Sequence, residues 1–293
     1  MGPAALLELI AGDGVIDHAI PWPTEGRARR AAVRAIRSFA PEAAVILPPS
    51  FSSALLAWRS GARERIGYRG EARSALLTRG LQRPPRGEMH LSREYLALGG
   101  PLGVRPVPVP MLMPPPPAAA RALQALERAG VGGEKLALLG PGARYGPAKR
   151  WDPERFAAVA RALIGRDFRV LVCGAMDERT ECEAVARAAG EGATSLAGTT
   201  DLATQAALCG RAALALCNDS GLAHLAAAVG TPTVALFGST SSAWTAPLGP
   251  RVRVIQRSPV CSPCFRRTCR IGYRCLTAIE AAPVLRACLE VAT

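Results

Sequence analysis

Residues 214–240 read LALCNDSGLAHLAAAVGTPTVALFGST. The first four are an apolar run of strand length. Asn218, Asp219, Ser220 and Gly221 follow, all residue types that open helices. Residues 222–229 are alanine-rich and helical, Gly230 suits the position just past a helix, and Pro232 bars continuation. A second apolar run, 233–237, closes on Gly238, Ser239 and Thr240. Strand, turn, helix, strand is the order of a parallel crossover unit. In open α/β sheets the ligand lies beyond the carboxyl ends of the strands, along one crevice. A helix start there offers free N–H groups and the positive end of a dipole, which suits phosphate. His224 lies one turn past Ser220, on the same helix face. The layout argues for an anionic ligand of the nucleotide-diphosphate kind. The plainer alternatives are that Asp219 or Ser220 only caps the helix and that His224 is an ordinary helix residue.

Outward from this stretch the alternation continues. Strands are predicted at 135–139, 168–173, 194–196 and 252–255, and helices at 118–129, 153–164, 177–189, 201–210 and 278–291. Asp152 and Pro153 open one helix as cap and first residue. This regularity predicts a doubly wound parallel sheet. The strand at 135–139 leads into PGARYGPAKRW, residues 141–151, where Gly140, Gly142 and Ala143 let backbone approach a ligand. Lys149 and Arg150 bring cations to the same turn. The chain has two lysines against 34 arginines. Lysine at 149 therefore points to a compact ammonium, with a solvated loop charge as the alternative. After the next strand, Asp177 or Glu178 either accepts from ribose hydroxyls or caps the following helix.

The first third is less regular. A short apolar segment and an extended run cover 6–23, a helix with five arginines 26–39, a strand 42–47 and a helix 51–59 with Ser50 or Ser52 as cap. Residues 63–77, RERIGYRGEARSALL, read as a basic loop holding a short strand, whose arginines grip an anionic substrate or are merely solvated. Seven prolines between 106 and 117 mark a linker, giving domains 1–117 and 118–293.

Composition excludes several classes. At 293 residues and 49% hydrophobic content the chain is globular, with no apolar run long enough to span a membrane. The N-terminus lacks a basic region before its short apolar stretch, so no secretory signal is expected. A net charge of +13 attracts polyanions. Nucleic acid is not the expected one: aromatics are 5%, the arginines are dispersed, and no nucleic-acid-binding motif stands out. No P-loop, HExxH motif or Asp-x-Asp pair is present. Nine cysteines, an odd number scattered among apolar strands, suit a reducing cytosol. Four of them, Cys261, Cys264, Cys269 and Cys275, are spaced C-x2-C-x4-C-x5-C, which fits a zinc site in composition or a reduced loop packed on the domain.

Taken together, VIDHAIPWP, GYRGEARSALL, PGARYGPAKRWDPERFA, CNDSGLAHLAAAVGTPTVALFGST and CSPCFRRTC resemble glycosyltransferase family 9 over most of the chain. Within it the likeness is to enzymes that add the second heptose of the lipopolysaccharide inner core. The resemblance implies a GT-B fold, two Rossmann-like domains facing a cleft. It implies an ADP-heptose donor on the C-terminal domain, a lipid A–Kdo–heptose acceptor on the N-terminal one, and inverting transfer without metal or other cofactor. Such an enzyme works in the cytoplasm, in peripheral contact with the inner membrane, and binds no nucleic acid. Carried over residue by residue, Lys149 stabilises the leaving ADP. Asp219, Ser220, Gly221 and His224, with Gly142, hold diphosphate and heptose, and Asp177 or Glu178 takes the ribose. Arg69 and Arg73 are the expected acceptor contacts.

The family pattern begins with a βαβ unit ahead of the segment matching VIDHAIPWP, and that unit's aspartate resembles a general base. This chain starts just upstream of the match, so the reading expects the N-terminal domain to lack that unit, roughly 30 residues, and the base with it. Asp13 is not its equivalent, because no helix and second strand separate it from the matched segment. A start codon set too late and a true truncation both produce this pattern. A truncated chain would be a catalytically silent nucleotide-sugar-binding module.

Overall fold

In the computed structural model, every residue is described except Gly12, Asp13, Val15, Thr24, Glu25, Pro106 and Pro108, and the side chain of Glu71. Asp13 and the first residue of VIDHAIPWP thus lie outside the described residues. The chain divides into two compact units. One comprises Met1–Leu7, Ile16–Pro108 and Ala243–Thr245; the other comprises Glu8–Val15, Val109–Ser242 and Ala246–Thr293.

The first unit has three parallel strands in the order β1 (Ala43–Ile46), β2 (Glu64–Tyr68), β3 (Arg79–Leu81). Helices Gly26–Ser38 and Phe51–Arg59 carry its sequence-predicted pattern, and Ser50 caps the second by accepting from the Ser53 amide. Ile46, Ala54 and Ala57 form a small core against Leu76 and Leu77. The helix Ala4–Ala11 and the strand β3 escaped the sequence reading. Both are too short for periodicity to register. Glu94 is a buried hub here: its carboxylate accepts from Arg83 and from Trp244, and its carbonyl from the Tyr68 hydroxyl.

The second unit holds a six-stranded, wholly parallel sheet. Its strands are β4 (Lys135–Gly140), β5 (Phe168–Val172), β6 (Ala193–Ser195), β7 (Leu214–Asn218), β8 (Thr233–Phe237) and β9 (Val252–Gln256), ordered β6-β5-β4-β7-β8-β9. Continuous apolar strands mean two buried faces, and side chains alternate between them. Ala137, Leu139, Val170, Val172, Leu214, Leu216, Val234 and Leu236 pack with helices Pro153–Ile164, Arg179–Ala189 and Ala281–Ala292. Leu136, Leu138, Leu171, Ala215, Cys217, Ala235 and Phe237 pack with helices Pro116–Arg128, Leu202–Arg211 and Gly221–Ala228. The predicted cap Asp152 is in place, accepting from the Glu154 amide. Asp201, read as the first helical residue, instead caps Leu202–Arg211 by accepting from the Thr204 amide. Strand order reverses between β4 and β7, where Gly140 stands beside Cys217 in register. This switch point leaves a crevice beyond the two strand ends. The turns 141–151 and 218–221 emerge there.

Candidate functional site at the β4–β7 strand ends

The two turns meet through charge. Lys149 Nζ lies 2.6 Å from Asp219 Oδ2, with the side chains 13% and 3% exposed. The Thr240 hydroxyl, at the end of β8, donates to the same carboxylate oxygen. Lys149 also stands 4.8 Å above the centre of the Tyr145 ring, a cation–π contact on its other side. Burying an ammonium beside a carboxylate is tolerable because each neutralises the other, whereas removing either strands a charge. Lys149 is thus no solvated loop charge. Asp219 is no helix cap either. Ser220 occupies the cap position of Gly221–Ala228 and makes no side-chain capping bond, and a helix start of this kind is suited to an anion. His224 is exposed on that helix.

Arg150 departs from the sequence reading. Its guanidinium is 3.1 Å from Glu181 and donates to the Ala143 carbonyl at 3.3 Å, so it braces its own loop. Burial, with Glu178 nearby, raises the Glu181 pKa, and the Arg150 charge opposes that rise.

Of the two acidic residues after β5, Asp177 is exposed and Glu178 half-buried. Glu178 Oε2 accepts from the Ala175 amide at 2.9 Å, and its carboxylate lies over Gly142. A Cβ on Gly142 would sit 2.2 Å from the Glu178 carboxyl carbon, so glycine makes that approach possible. Lys149, Asp219, Gly142 and Glu178 are brought into one neighbourhood of the sheet's ligand-facing edge.

The cysteine segment forms a wall of this site. Ala148 donates to the Arg267 carbonyl at 3.0 Å, Phe265 to the Ser239 carbonyl at 2.7 Å, and the Tyr145 hydroxyl to the Phe265 carbonyl at 2.5 Å. Gly146, at φ 142°, would carry any Cβ into the Arg267 carbonyl at 2.7 Å. Cys261 and Cys264 are exposed, Cys269 intermediate and Cys275 buried. Among the described residues no three His, Cys, Asp or Glu side chains gather as a metal-ligand set. The amides of Ile271 and Tyr273 point at Cys269 Sγ, at 3.4 and 3.3 Å, and lower its pKa.

In the other unit, Arg69 is exposed and its stem crosses Gly80. Arg73, expected to face an acceptor, is instead 1% exposed and donates to the Pro48 carbonyl at 2.7 Å. The turn Glu71–Leu76 carries it inward, and the absent side chain of Gly67 makes room for its guanidinium.

Sequence reasoning gave no role to Asn218, Thr240 or Tyr145. Asn218 was hidden among cap-type residues, Thr240 stood in the quoted stretch without a partner, and nothing marked Tyr145.

Parallel strands with a polar, cationic switch point define a doubly wound α/β unit suited to a nucleotide diphosphate. Residues 29–274 match the profile of glycosyltransferase family 9 (heptosyltransferase), and the chain belongs to that family. It is 32% identical over 271 residues to lipopolysaccharide heptosyltransferase 2 of Salmonella typhimurium, covering 87% of this chain and 78% of the relative. The solved ADP-heptose lipopolysaccharide heptosyltransferase II of E. coli superposes with a TM-score of 0.82 at 27% identity, covering 99% of this chain and 87% of that one. A family 9 glycosyltransferase from Veillonella parvula shares the fold, at TM-score 0.85 and 20% identity over 99% of this chain and 86% of that one. The expected GT-B fold class is the class of these relatives.

Proposed function

We propose that the chain transfers heptose from ADP-heptose to the inner core of lipopolysaccharide, adding the second heptose. The observation that carries this reading is the buried Lys149–Asp219 pair at the sheet's switch point in a chain of this family. The names of the relatives above support the donor and the acceptor.

In the reaction an acceptor hydroxyl oxygen bonds to the anomeric carbon as the bond from that carbon to the ADP oxygen breaks. The hydroxyl proton passes to a general base, a role that none of the residues named here fills, and ADP departs with the electron pair of the broken bond, inverting the centre. Negative charge grows on the diphosphate, and Lys149 stands where an ammonium offsets it. Asp219 and Tyr145 hold that ammonium in place before the donor arrives, so little reorganisation remains for the reaction itself. The uncapped start of Gly221–Ala228, with Ser220, Gly221 and His224, receives phosphate and sugar oxygens. Glu178, with Asp177 beside it, takes the ribose hydroxyls. Arg69 contacts the anionic acceptor, while Arg73 fixes the loop after β1.

On this reading the acceptor is a lipid-anchored glycan and the enzyme works in the cytoplasm, at the inner membrane's cytoplasmic face. A net charge of +13 supports peripheral attraction to that anionic surface. No helix among the described residues is long and apolar enough to cross a membrane. The test is incubation with ADP-heptose and a core ending in one heptose. A product heavier by one heptose supports the reading, and absence of transfer on every such core refutes it.

A further inference from the structure

We propose that Asn218 is a positioning residue for Lys149, fastening both feet of the 141–151 loop to the tip of β7. Its side chain is wholly buried. The Nδ2 group donates to the Pro141 carbonyl at 2.5 Å, and the Trp151 amide donates to Oδ1 at 3.0 Å. Pro141 is the first residue after β4, and Trp151 the last before the Asp152 cap. One planar group therefore closes the whole loop at its base. A carboxamide is the natural side chain for this, since it offers a donor and an acceptor from one rigid plane. The partners also fix its orientation, because the carbonyl must meet N–H and the amide N–H must meet oxygen.

The neighbouring residue completes the device. Asp219 holds the ammonium of Lys149, so consecutive residues on one strand tip grip the loop's feet and its charged group. The far foot is fixed from below as well, where Trp151 Nε1 donates to the Ile279 carbonyl at 2.9 Å. With its base closed, the loop carries Lys149 on the short turn Pro147–Lys149 and has little freedom to swing the ammonium away. The Asn218 side chain is committed to Pro141 and Trp151, so the role assigned to it runs through Lys149. The proposal rests on the role given above to Lys149.

A simple chemical fact makes it testable. The chain has two lysines, Lys149 and the exposed Lys135, so amine labelling followed by mass spectrometry reads Lys149 against an internal reference. In Asn218→Asp, which keeps the shape but sets a carboxylate against the Pro141 carbonyl, the labelling of Lys149 relative to Lys135 should rise several-fold. Asn218→Ala serves as the second variant, and melting curves of both confirm that the folded protein is measured. ADP affinity completes the test as a double-mutant cycle. Asn218→Asp should weaken ADP binding by about 100-fold when Lys149 is present and by almost nothing in Lys149→Ala. Equal losses in both backgrounds, or an unchanged labelling ratio, would overturn the proposal. Failure of the wild-type chain to bind ADP would instead refute the functional reading, while the labelling ratio still decides the role of Asn218.

Discussion

The proposed donor side turns on the contact of Lys149 with Asp219, and substitution of the lysine tests it. Lys149→Ala removes the charge proposed to face the leaving group and leaves Asp219 buried without its ammonium. Steady-state kinetics should show kcat/KM reduced by about 100-fold or more, the usual scale for one preorganised donor. Unchanged kinetics would remove Lys149 from the mechanism. Gly142→Ala tests the adjoining wall: its methyl would enter the space of the Glu178 carboxylate, so KM for the nucleotide sugar should rise while melting temperature moves little. On the acceptor side, Arg69→Ala should raise the acceptor KM and leave ADP affinity intact. Arg73→Ala should instead lower stability, because its buried guanidinium supports Pro48. What was legible at this scale was chemistry with a spacing signature. A lone lysine among arginines and a Gly-rich turn could be read from the chain. The bond of Asn218 across the base of a loop joins residues 77 and 67 positions apart, and no local pattern records it.

The strands of the second unit are the elements most plainly written in the sequence, because burial on both faces demands uninterrupted apolar residues. The first unit is harder to read. Its strands are short, β3 has three residues, and its helices bury little. The cysteine segment was legible as a cluster but not in its purpose, since its ties to the 141–151 loop run mainly through backbone carbonyls that any residue supplies. Its thiols differ from those of the core. Burial pushes Cys173, Cys182 and Cys288 up to about 12, whereas two amides and the nearby Arg266 and Arg274 hold Cys269 below the usual thiol range. The thiolate is the reactive form, so a lowered pKa moves alkylation to lower pH. Iodoacetamide on the native protein should therefore modify Cys269 at a lower pH than it modifies an ordinary free thiol. The six buried thiols, Cys173, Cys182, Cys209, Cys217, Cys275 and Cys288, should react only after unfolding. Labelling of those residues in the native state would contradict the packing described. Among the helices, Asp152→Ala should cost about 1 kcal/mol of stability through the lost cap, measured by urea denaturation.

Across the whole molecule, charge and fold serve the same end. Arginine supplies nearly all of the positive charge. If that charge attracts the chain to an anionic bilayer, flotation with phosphatidylglycerol vesicles should capture it at low salt and release it as ionic strength rises. Capture that persists in high salt would point to apolar insertion instead. The central claim is more specific than attraction: the switch point of the six-stranded sheet binds the nucleotide diphosphate of a sugar donor and stabilises it as it leaves. The most direct measurement is calorimetric titration with ADP of the wild-type chain and of Lys149→Ala. The account predicts saturable one-to-one binding to the wild type and a large loss of affinity in the variant. Equal affinity in both, or no binding to either, would contradict it.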